Sequence, residues 1–157
     1  MKKLLSLLLF VMMAGVANAQ FEQGTMFINT SATGLNMQFN KDFTIGVEAK
    51  AGLFFTDDWA FTASAGLDYS KSTLNTIYGG AGIRYYIEQN GLFLGANLKY
   101  IHQDSNYNDI LPGVELGYCF FLNKNVTIEP ALYYDISIKD SGNYSQCGLK
   151  LGFSYYF

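Results

Sequence analysis

Charged residues are scarce in this sequence, and none of them forms a basic run. Lys, Arg, Asp and Glu make up 15% of the 157 residues, against about a quarter in an average soluble domain. The formal net charge is −3, and it falls by two to −5 once Lys2 and Lys3 are removed with the leader described below. Nucleic-acid binding needs a positive patch, and none is present. We therefore expect no nucleic-acid partner.

Metal-ligating residues are equally rare, because the chain has one histidine, His102, and two cysteines, Cys119 and Cys147. These are too few and too far apart for a closely spaced ligand set, so we expect no metal and no cofactor. Strand alternation places Cys119 and Cys147 on opposite faces of their strands. Their side chains then diverge, which favours two free thiols over a disulfide.

No apolar run reaches the roughly 20 residues that a membrane-spanning helix needs. The longest, Leu4 to Val16, follows a basic start and precedes small residues at Ala17 and Ala19. This pattern predicts a signal peptide over residues 1–19, cleaved before Gln20. No cysteine follows the cleavage site, so no lipid attachment is expected. The mature domain is then 20–157.

Beyond the leader, apolar residues recur with a period of two, which is typical of β-strands. From residue 43 to 53, for example, apolar side chains occupy the odd positions, while Glu48, Lys50 and glycines occupy the even ones. Six further segments repeat the pattern up to Phe157. A weaker segment, residues 25–34, brings the count to eight, and single-chain bacterial membrane barrels have an even number of strands.

The connections alternate between short turns and longer polar loops. Short turns are predicted at 56–58, 88–91 and 123–125, and longer loops at 35–41, 70–75, 103–108 and 137–143. In outer-membrane barrels the short turns face the periplasm. The sequence therefore predicts an all-β, eight-stranded antiparallel transmembrane up-and-down β-barrel, with both termini on the periplasmic side. Pro130 cannot donate a ladder hydrogen bond, so a bulge is expected there.

Aromatic residues make up 17% of the sequence, and many flank the short turns. Amphipathic rings favour the headgroup level of a bilayer, so these positions predict an aromatic girdle. Its predicted members are Phe55, Trp59, Tyr85, Phe120, Tyr155 and Phe157. Tyr69, Tyr100 and Tyr134 are expected at the opposite rim.

The polar strand faces carry glycines and isolated charges of both signs. In a soluble barrel, such as a lipocalin-like one, this face would meet water, and an abundance of glycine there is unusual. In a membrane barrel it faces the lumen, where charges must be paired. We therefore predict an internal ion-pair network of Glu48, Lys50, Asp68, Arg84, Lys99, Glu115, Glu129, Asp135 and Lys150. Within it, Lys99 and Glu115 are expected to pair, since each lies about eight residues from a short turn.

Several segments resemble the OmpA/OmpX-like small outer-membrane barrel domains, specifically the Bacteroidetes type. The segments are AGLFFTDDWAFTASAGLDYS, YGGAGIRYYI, LPGVELGYCFFLNKNVTIEPALYY and LGFSYYF. The resemblance covers most of residues 22–157. It implies that the last strand, with Phe153, Tyr155 and Phe157, is the signal read by the outer-membrane insertion machinery. It implies no single function, because such barrels host many activities.

His102 is the one residue that invites an enzymatic interpretation. Small barrels resembling lipid A deacylases carry a His-x-Ser-Asn stretch, whereas this chain has one more residue between His102 and Ser105. The extra residue places the two side chains on opposite strand faces. A conducting pore is the other alternative, but Tyr78, Tyr86, Phe93, Tyr133 and Tyr156 are expected to fill a lumen of eight strands.

The sequence thus favours a non-enzymatic outer-membrane protein with a packed, non-conducting lumen and an envelope structural or interaction role. A small pore is the second hypothesis, and a lipid A-modifying enzyme is the third. The expected partners are outer-membrane lipid, the insertion machinery during biogenesis and a larger envelope complex.

Overall fold

The computed structural model describes residues 21–33, 37–38, 44–70, 76–87, 91–103, 107–139, 141 and 145–157. Eight long strands account for most of them. They are β1 Met26–Thr33, β2 Thr44–Thr56, β3 Trp59–Ser70, β4 Thr76–Tyr86, β5 Leu92–Gln103, β6 Tyr107–Tyr118, β7 Val126–Asp135 and β8 Gln146–Tyr156. The predicted leader, residue 43 and most of the longer loops lie outside the described residues.

The strands form a closed antiparallel barrel. Each strand pairs with its neighbours in chain order, and β1 pairs with β8 from Phe27–Tyr156 to Thr33–Lys150, which closes the sheet. Two short pieces extend the wall: Met37–Gln38 pairs with the start of β8, and Phe120–Phe121 pairs with β7. The predicted eight-stranded antiparallel barrel is confirmed.

The alternation of side chains follows the sequence period. Along β1 the side chains alternate strictly between exposed and buried positions, and the same pattern runs through the last seven residues of β8. Most exposed members are apolar; Ile28, Val47, Leu98 and Leu132 each expose at least half of their surface. The buried members are the charged and polar residues together with a group of aromatic rings. The apolar face therefore points outwards, as the sequence predicts.

The first and last described residues, Phe21 and Phe157, lie at the end of the barrel that carries the short turns. Asp58, in the first short turn, donates its backbone N–H to Phe21 O (2.9 Å), and Met26 N donates to Phe157 O (2.9 Å). In the second turn Gly91 has a φ of 90°, a conformation that favours glycine. Among the described residues, none forms a helix with the length and apolarity needed to cross a bilayer.

The irregularity predicted at Pro130 takes a different form. Pro130 stays in an unshifted ladder with Leu151 of β8. A register shift lies elsewhere, between β2 and β3 at Phe54–Thr56. The partner strand adapts instead: its pairing with β7 stops at Gly117–Ala131 and resumes at Phe120–Ile128. Because proline has no N–H, it offers β6 no ladder donor at this point. The backbone N–H of Cys119 donates instead to Gly91 O (2.8 Å).

Strand β4 is the place where a glycine brings two backbones closest together. A Cβ at Gly82 would lie 2.4 Å from Ala96 O, a backbone atom that cannot rotate away, whereas a Cβ at Gly79 would meet only Ser64 O at 3.9 Å. We therefore expect Gly82→Ala to lower the free energy of unfolding by about 1 to 3 kcal/mol. Gly79→Ala on the same strand is the matched control and should leave the urea midpoint almost unchanged. Equal midpoints for both variants would contradict this close approach.

Candidate functional site

The barrel interior is the candidate site, and its short-turn end is filled by aromatic rings. We call this cluster the aromatic plug; its buried rings are Phe21, Phe27, Phe54, Tyr86, Phe93 and Tyr156. Phe21 stacks on Tyr86 at 4.2 Å between ring centroids, and Phe27 stacks on Tyr156 at 5.2 Å. Ala60, Cys119 and Ala131 complete the packing. Burial of these rings removes a large apolar area from water at one end of the lumen.

A charge network lies next to the plug, centred on Glu115 of β6. Its carboxylate accepts hydrogen bonds from Arg84 Nε (2.6 Å) and Lys50 Nζ (3.0 Å), and Lys150 Nζ lies 2.6 Å away. The four side chains come from four different strands, and each exposes 5% or less of its side chain. Glu115 therefore ties β2, β4, β6 and β8 together across the lumen.

Glu129 links the network to the plug. It lies 2.9 Å from Arg84 Nη1 and also accepts hydrogen bonds from the hydroxyls of Tyr156 (2.9 Å) and Ser154 (2.5 Å). Asn29 Nδ2 (3.3 Å) and the Thr127 hydroxyl (3.0 Å) supply further donors. A buried carboxylate is stable only when its oxygens are satisfied in this way, so Glu129 carries a full set of partners.

The network continues towards the long-loop end through Glu48 and Lys99. Glu48 lies 3.4 Å from Lys150, 3.5 Å from Lys50 and 3.8 Å from Lys99. Lys99 makes its shortest contact with Asp135 of β7, at 2.7 Å. These ion pairs join four acids, Glu48, Glu115, Glu129 and Asp135, with four bases, Lys50, Arg84, Lys99 and Lys150. The network is therefore electrically balanced.

The predicted pairing of Lys99 with Glu115 is wrong. Lys99 lies opposite Leu111, whereas Glu115 lies opposite Gly95, four residues or about 13 Å further along the sheet. The cause is a stagger of the two short turns: Leu92, which begins β5, pairs with Tyr118 at the end of β6, but the short piece Phe120–Phe121 continues the wall before the next turn. Equal distances from two turns therefore do not correspond to equal heights in the barrel.

Asp68, the ninth predicted member of the network, stands apart from it. No ion pair joins Asp68 to a residue that the structure describes. Instead its carboxylate lies over Gly46, where an added Cβ would be 1.9 Å from Oδ1. Asp68 also lines a cavity of about 20 Å³ at the long-loop end, together with Thr33, Lys99 and Asp135. This outer cavity is polar and large enough for about one water molecule.

Aromatic faces surround the cations of the network. The Arg84 guanidinium lies 4.1 Å from the centre of the Phe93 ring, and Lys99 Nζ lies 5.2 Å from that of Tyr133. Stacking on a ring adds a favourable contact that does not require another anion. Arg84 is well suited to its place, because its planar group bridges Glu115 and Glu129 at the same time.

His102 has a different setting from the interior charges. It is exposed on the outer face of β5, and its Nδ1 lies 2.6 Å from Asn108 Oδ1. Ser105, the serine of the hydrolase hypothesis, lies outside the described residues. Cys119 and Cys147 are free thiols, and no cluster of three or more metal ligands occurs within the described part of the chain.

The outer surface carries the predicted aromatic girdle at the short-turn end. Trp59 contacts Tyr85 at 4.8 Å between ring centroids, and Tyr155 stacks near Phe157 at 6.1 Å. Phe55 and Phe120 are half-buried on the same outer surface. At the opposite rim Tyr69, Tyr100 and Tyr134 are exposed. An apolar wall between two sets of aromatic residues is the surface that a membrane barrel presents.

Two groups of interior residues were not singled out from the sequence. Asn29, Thr127 and Ser154 sit at ordinary inward positions of their strands. Thr127 lies two positions from the predicted Glu129, whereas no predicted charge lies two positions from Asn29 or Ser154. Phe21 precedes the first periodic segment, so no strand pattern points to it. Only its position as the second residue after the predicted cleavage site distinguishes it.

Comparison with solved structures identifies the same fold in several membrane proteins. The N-terminal β-barrel domain of Pseudomonas aeruginosa OprF superposes with a TM-score of 0.69 at 15% identity, covering 86% of this chain and 98% of that domain. Neisserial surface protein A gives a TM-score of 0.62 at 16% identity, covering 86% of this chain and 98% of that one. Ail of Yersinia pestis, the attachment invasion locus protein, gives 0.53 at 16% identity, covering 86% and 99%.

The chain has the fold of small outer-membrane β-barrels. At these identities the likeness extends to the fold alone. No protein-family model matches the sequence, and no curated protein matches it.

Proposed function

We propose that this chain is a non-enzymatic integral outer-membrane protein with a packed, non-conducting lumen, serving an envelope structural or interaction role. The interior carries the proposal: the aromatic plug and the charge network occupy successive levels of a barrel of eight strands. A barrel of this size encloses only enough room for side chains. Similarity of fold to the attachment invasion locus protein supports the interaction role.

The exposed apolar wall and the aromatic girdle support insertion in the outer membrane of a Gram-negative cell. Residues 1–19 act in this proposal as a signal peptide, and the short turns and both termini face the periplasm. Fractionation with N-terminal sequencing tests this placement. A chain beginning at Gln20 in the outer membrane supports it, and a bulk population that retains Met1 counts against it.

Planar-bilayer recording tests the closed lumen. Purified protein should give no steady single-channel steps, while a general porin in the same bilayers gives large ones, because Glu115 and its three cations bridge four strands across the lumen. Regular steps from the unmodified chain would favour the second hypothesis, a small pore. The observation that supports the pore hypothesis is the polar outer cavity.

The lipid A-modifying enzyme remains the third hypothesis and is centred on His102. Its measurement is the mass spectrum of lipid A from cells with and without the gene. We expect identical spectra, because the exposed His102 contacts the amide side chain of Asn108 rather than a carboxylate. A lost acyl chain that returns with the wild-type gene but not with a His102→Ala variant would overturn the non-enzymatic proposal.

Outer-membrane lipid, the insertion machinery and a larger envelope complex are the partners we propose. Phe153, Tyr155 and Phe157 of the last strand are exposed by 53%, 48% and 60%, so they are available to the insertion machinery before the barrel meets lipid. Gentle co-purification from native membranes, compared with a sample washed at high salt, identifies a stable envelope partner. Recovery of the barrel alone under both conditions would count against the interaction role and favour the structural role.

A further inference from the structure

The residues before β1 fold back over the short-turn end of the barrel. Residues 21–25, which we call the N-terminal strap, place the Phe21 ring inside the aromatic plug, where it is 1% exposed. The ring contacts Phe54 at 5.8 Å and Phe121 at 5.6 Å between centroids, besides stacking on Tyr86. Phe21 thus occupies the outermost position of the plug at this end.

Four hydrogen bonds join the strap to the rest of the described barrel. Two reach the turn between β2 and β3: Asp58 N donates to Phe21 O (2.9 Å), and Gln23 N donates to Asp57 Oδ1 (2.9 Å). The other two continue the ladder at Phe54 of β2, where Gly24 N donates to Phe54 O (2.8 Å) and Phe54 N donates to Thr25 O (2.9 Å). Gly24 has a φ of 91°, which lets the chain reverse before it enters β1. Phe21 itself is therefore attached to the turn rather than to the ladder of the sheet.

Phe21 differs from the other rings of the plug in how it is anchored. Phe27, Phe54, Tyr86, Phe93 and Tyr156 all belong to strands, so they cannot leave the lumen unless the ladder breaks. Phe21 can leave when the hydrogen bonds of Phe21, Gln23 and Gly24 and its own ring contacts are lost. Segments with few hydrogen bonds and little buried area open locally at a much lower free energy than the whole fold.

We propose that the N-terminal strap is a removable stopper: it opens and closes the short-turn end of the lumen while the sheet stays intact. The proposal rests on the closed lumen proposed above and adds a movable part to it. Cys119 provides a natural reporter, since it belongs to the same buried cluster, is 2% exposed and lies 3.5 Å from the Tyr156 hydroxyl. Its thiol becomes accessible from the short-turn end when Phe21 leaves.

Thiol labelling tests the stopper in the full mature chain. Cys147→Ser leaves Cys119 as the single thiol, and a small charged methanethiosulfonate is added to the folded protein in liposomes and micelles. The parent should label slowly. Phe21→Ala should raise the labelling rate at least tenfold, Phe21→Leu should raise it less, and Asp57→Ala, which removes the acceptor for Gln23, should raise it without touching the plug.

Phe61→Ala is the matched control, because this ring is 56% exposed on the outer wall and its loss should leave the rate unchanged. Heat-modifiable gel mobility confirms that each variant is folded. Unchanged labelling in folded Phe21→Ala and Asp57→Ala would overturn the stopper, as would an equal increase in Phe61→Ala. If Phe21→Ala does not fold, the Asp57→Ala and Phe21→Leu rates decide the question.

Conductance separates this proposal from the closed lumen. Phe21→Ala should label readily and still give no channel steps, because the charge network remains above the plug. Steps from the unmodified chain would refute the closed lumen while leaving the labelling result valid. If Cys119 labels no faster in Phe21→Ala than in the parent, the stopper proposal is refuted and the closed-lumen proposal is unaffected.

Discussion

Replacing Glu115 by Gln should lower the free energy of unfolding by about 3 to 5 kcal/mol, the largest loss that we expect from any single substitution in this barrel. Glu115 is bound by Arg84, Lys50 and Lys150, all at 3.0 Å or less. Its removal leaves four bases with three acids in a water-poor lumen. Urea unfolding in lipid bilayers measures the change in midpoint and slope.

A double-mutant cycle identifies the source of that loss. Lys50→Met in the Glu115→Gln background restores the charge balance, so the double variant should lose less stability than the two single losses added together. Lys99→Met with Glu115→Gln is the control cycle, because these two side chains do not contact each other, and its coupling should be smaller. Comparable coupling in both cycles would show that overall charge, rather than the observed contacts, governs stability.

Arginine on the outer wall should be the second most damaging change. Leu98 lies midway along β5, faces outwards and is 58% exposed. In a bilayer, Leu98→Arg places a guanidinium among acyl chains at a cost of about 2 to 4 kcal/mol. The expected result is a lower folded fraction in bilayers, measured by heat-modifiable gel mobility.

The neighbouring residue offers the matched control for this substitution. Asn97 faces the lumen, and a Cβ at Gly113 would lie close to both Asn97 Oδ1 and Asp135 Oδ1, so Asn97 is a near neighbour of the Asp135 carboxylate. That Asp135 oxygen has no hydrogen-bond partner among the described residues. Asn97→Arg therefore introduces its charge beside an available acceptor and should fold better than Leu98→Arg. The reverse order would mean that the outer wall is not the lipid face.

The sequence predicts the strands and their facing because both depend on a local period of two. Val47, Leu98 and Leu132 face outwards as their alternation requires, and Glu48, Lys99 and Glu115 face inwards. The partners within the lumen do not follow from the period. They depend on the stagger of neighbouring strands, because the wall continues from Tyr118 to Phe121 before the third short turn begins.

Two further features of the lumen cannot be predicted from the alternation of residues along a strand. Asp68 has the alternation expected of the network and lines the outer cavity together with Lys99 and Asp135, but it forms no ion pair with a described residue. Phe21 belongs to no strand, and its burial depends on a turn at Gly24 and on contacts with residues more than 30 positions away, such as Asp57. Non-local contacts of this kind leave no periodic signal in the chain.

Closure of the sheet between β1 and β8 has a consequence for the order of assembly. The Asn29–Ser154 hydrogen bond at this seam joins residues 125 positions apart, and the contact of Lys150 with Glu48 spans 102. Contacts of such separation form late, because a long loop must first lose its conformational freedom. Until then, hairpins that entered an apolar phase would carry unneutralised ions. Insertion is therefore expected to be concerted, with the polar strand faces kept in water until every strand is present and the seam as the final, rate-limiting step.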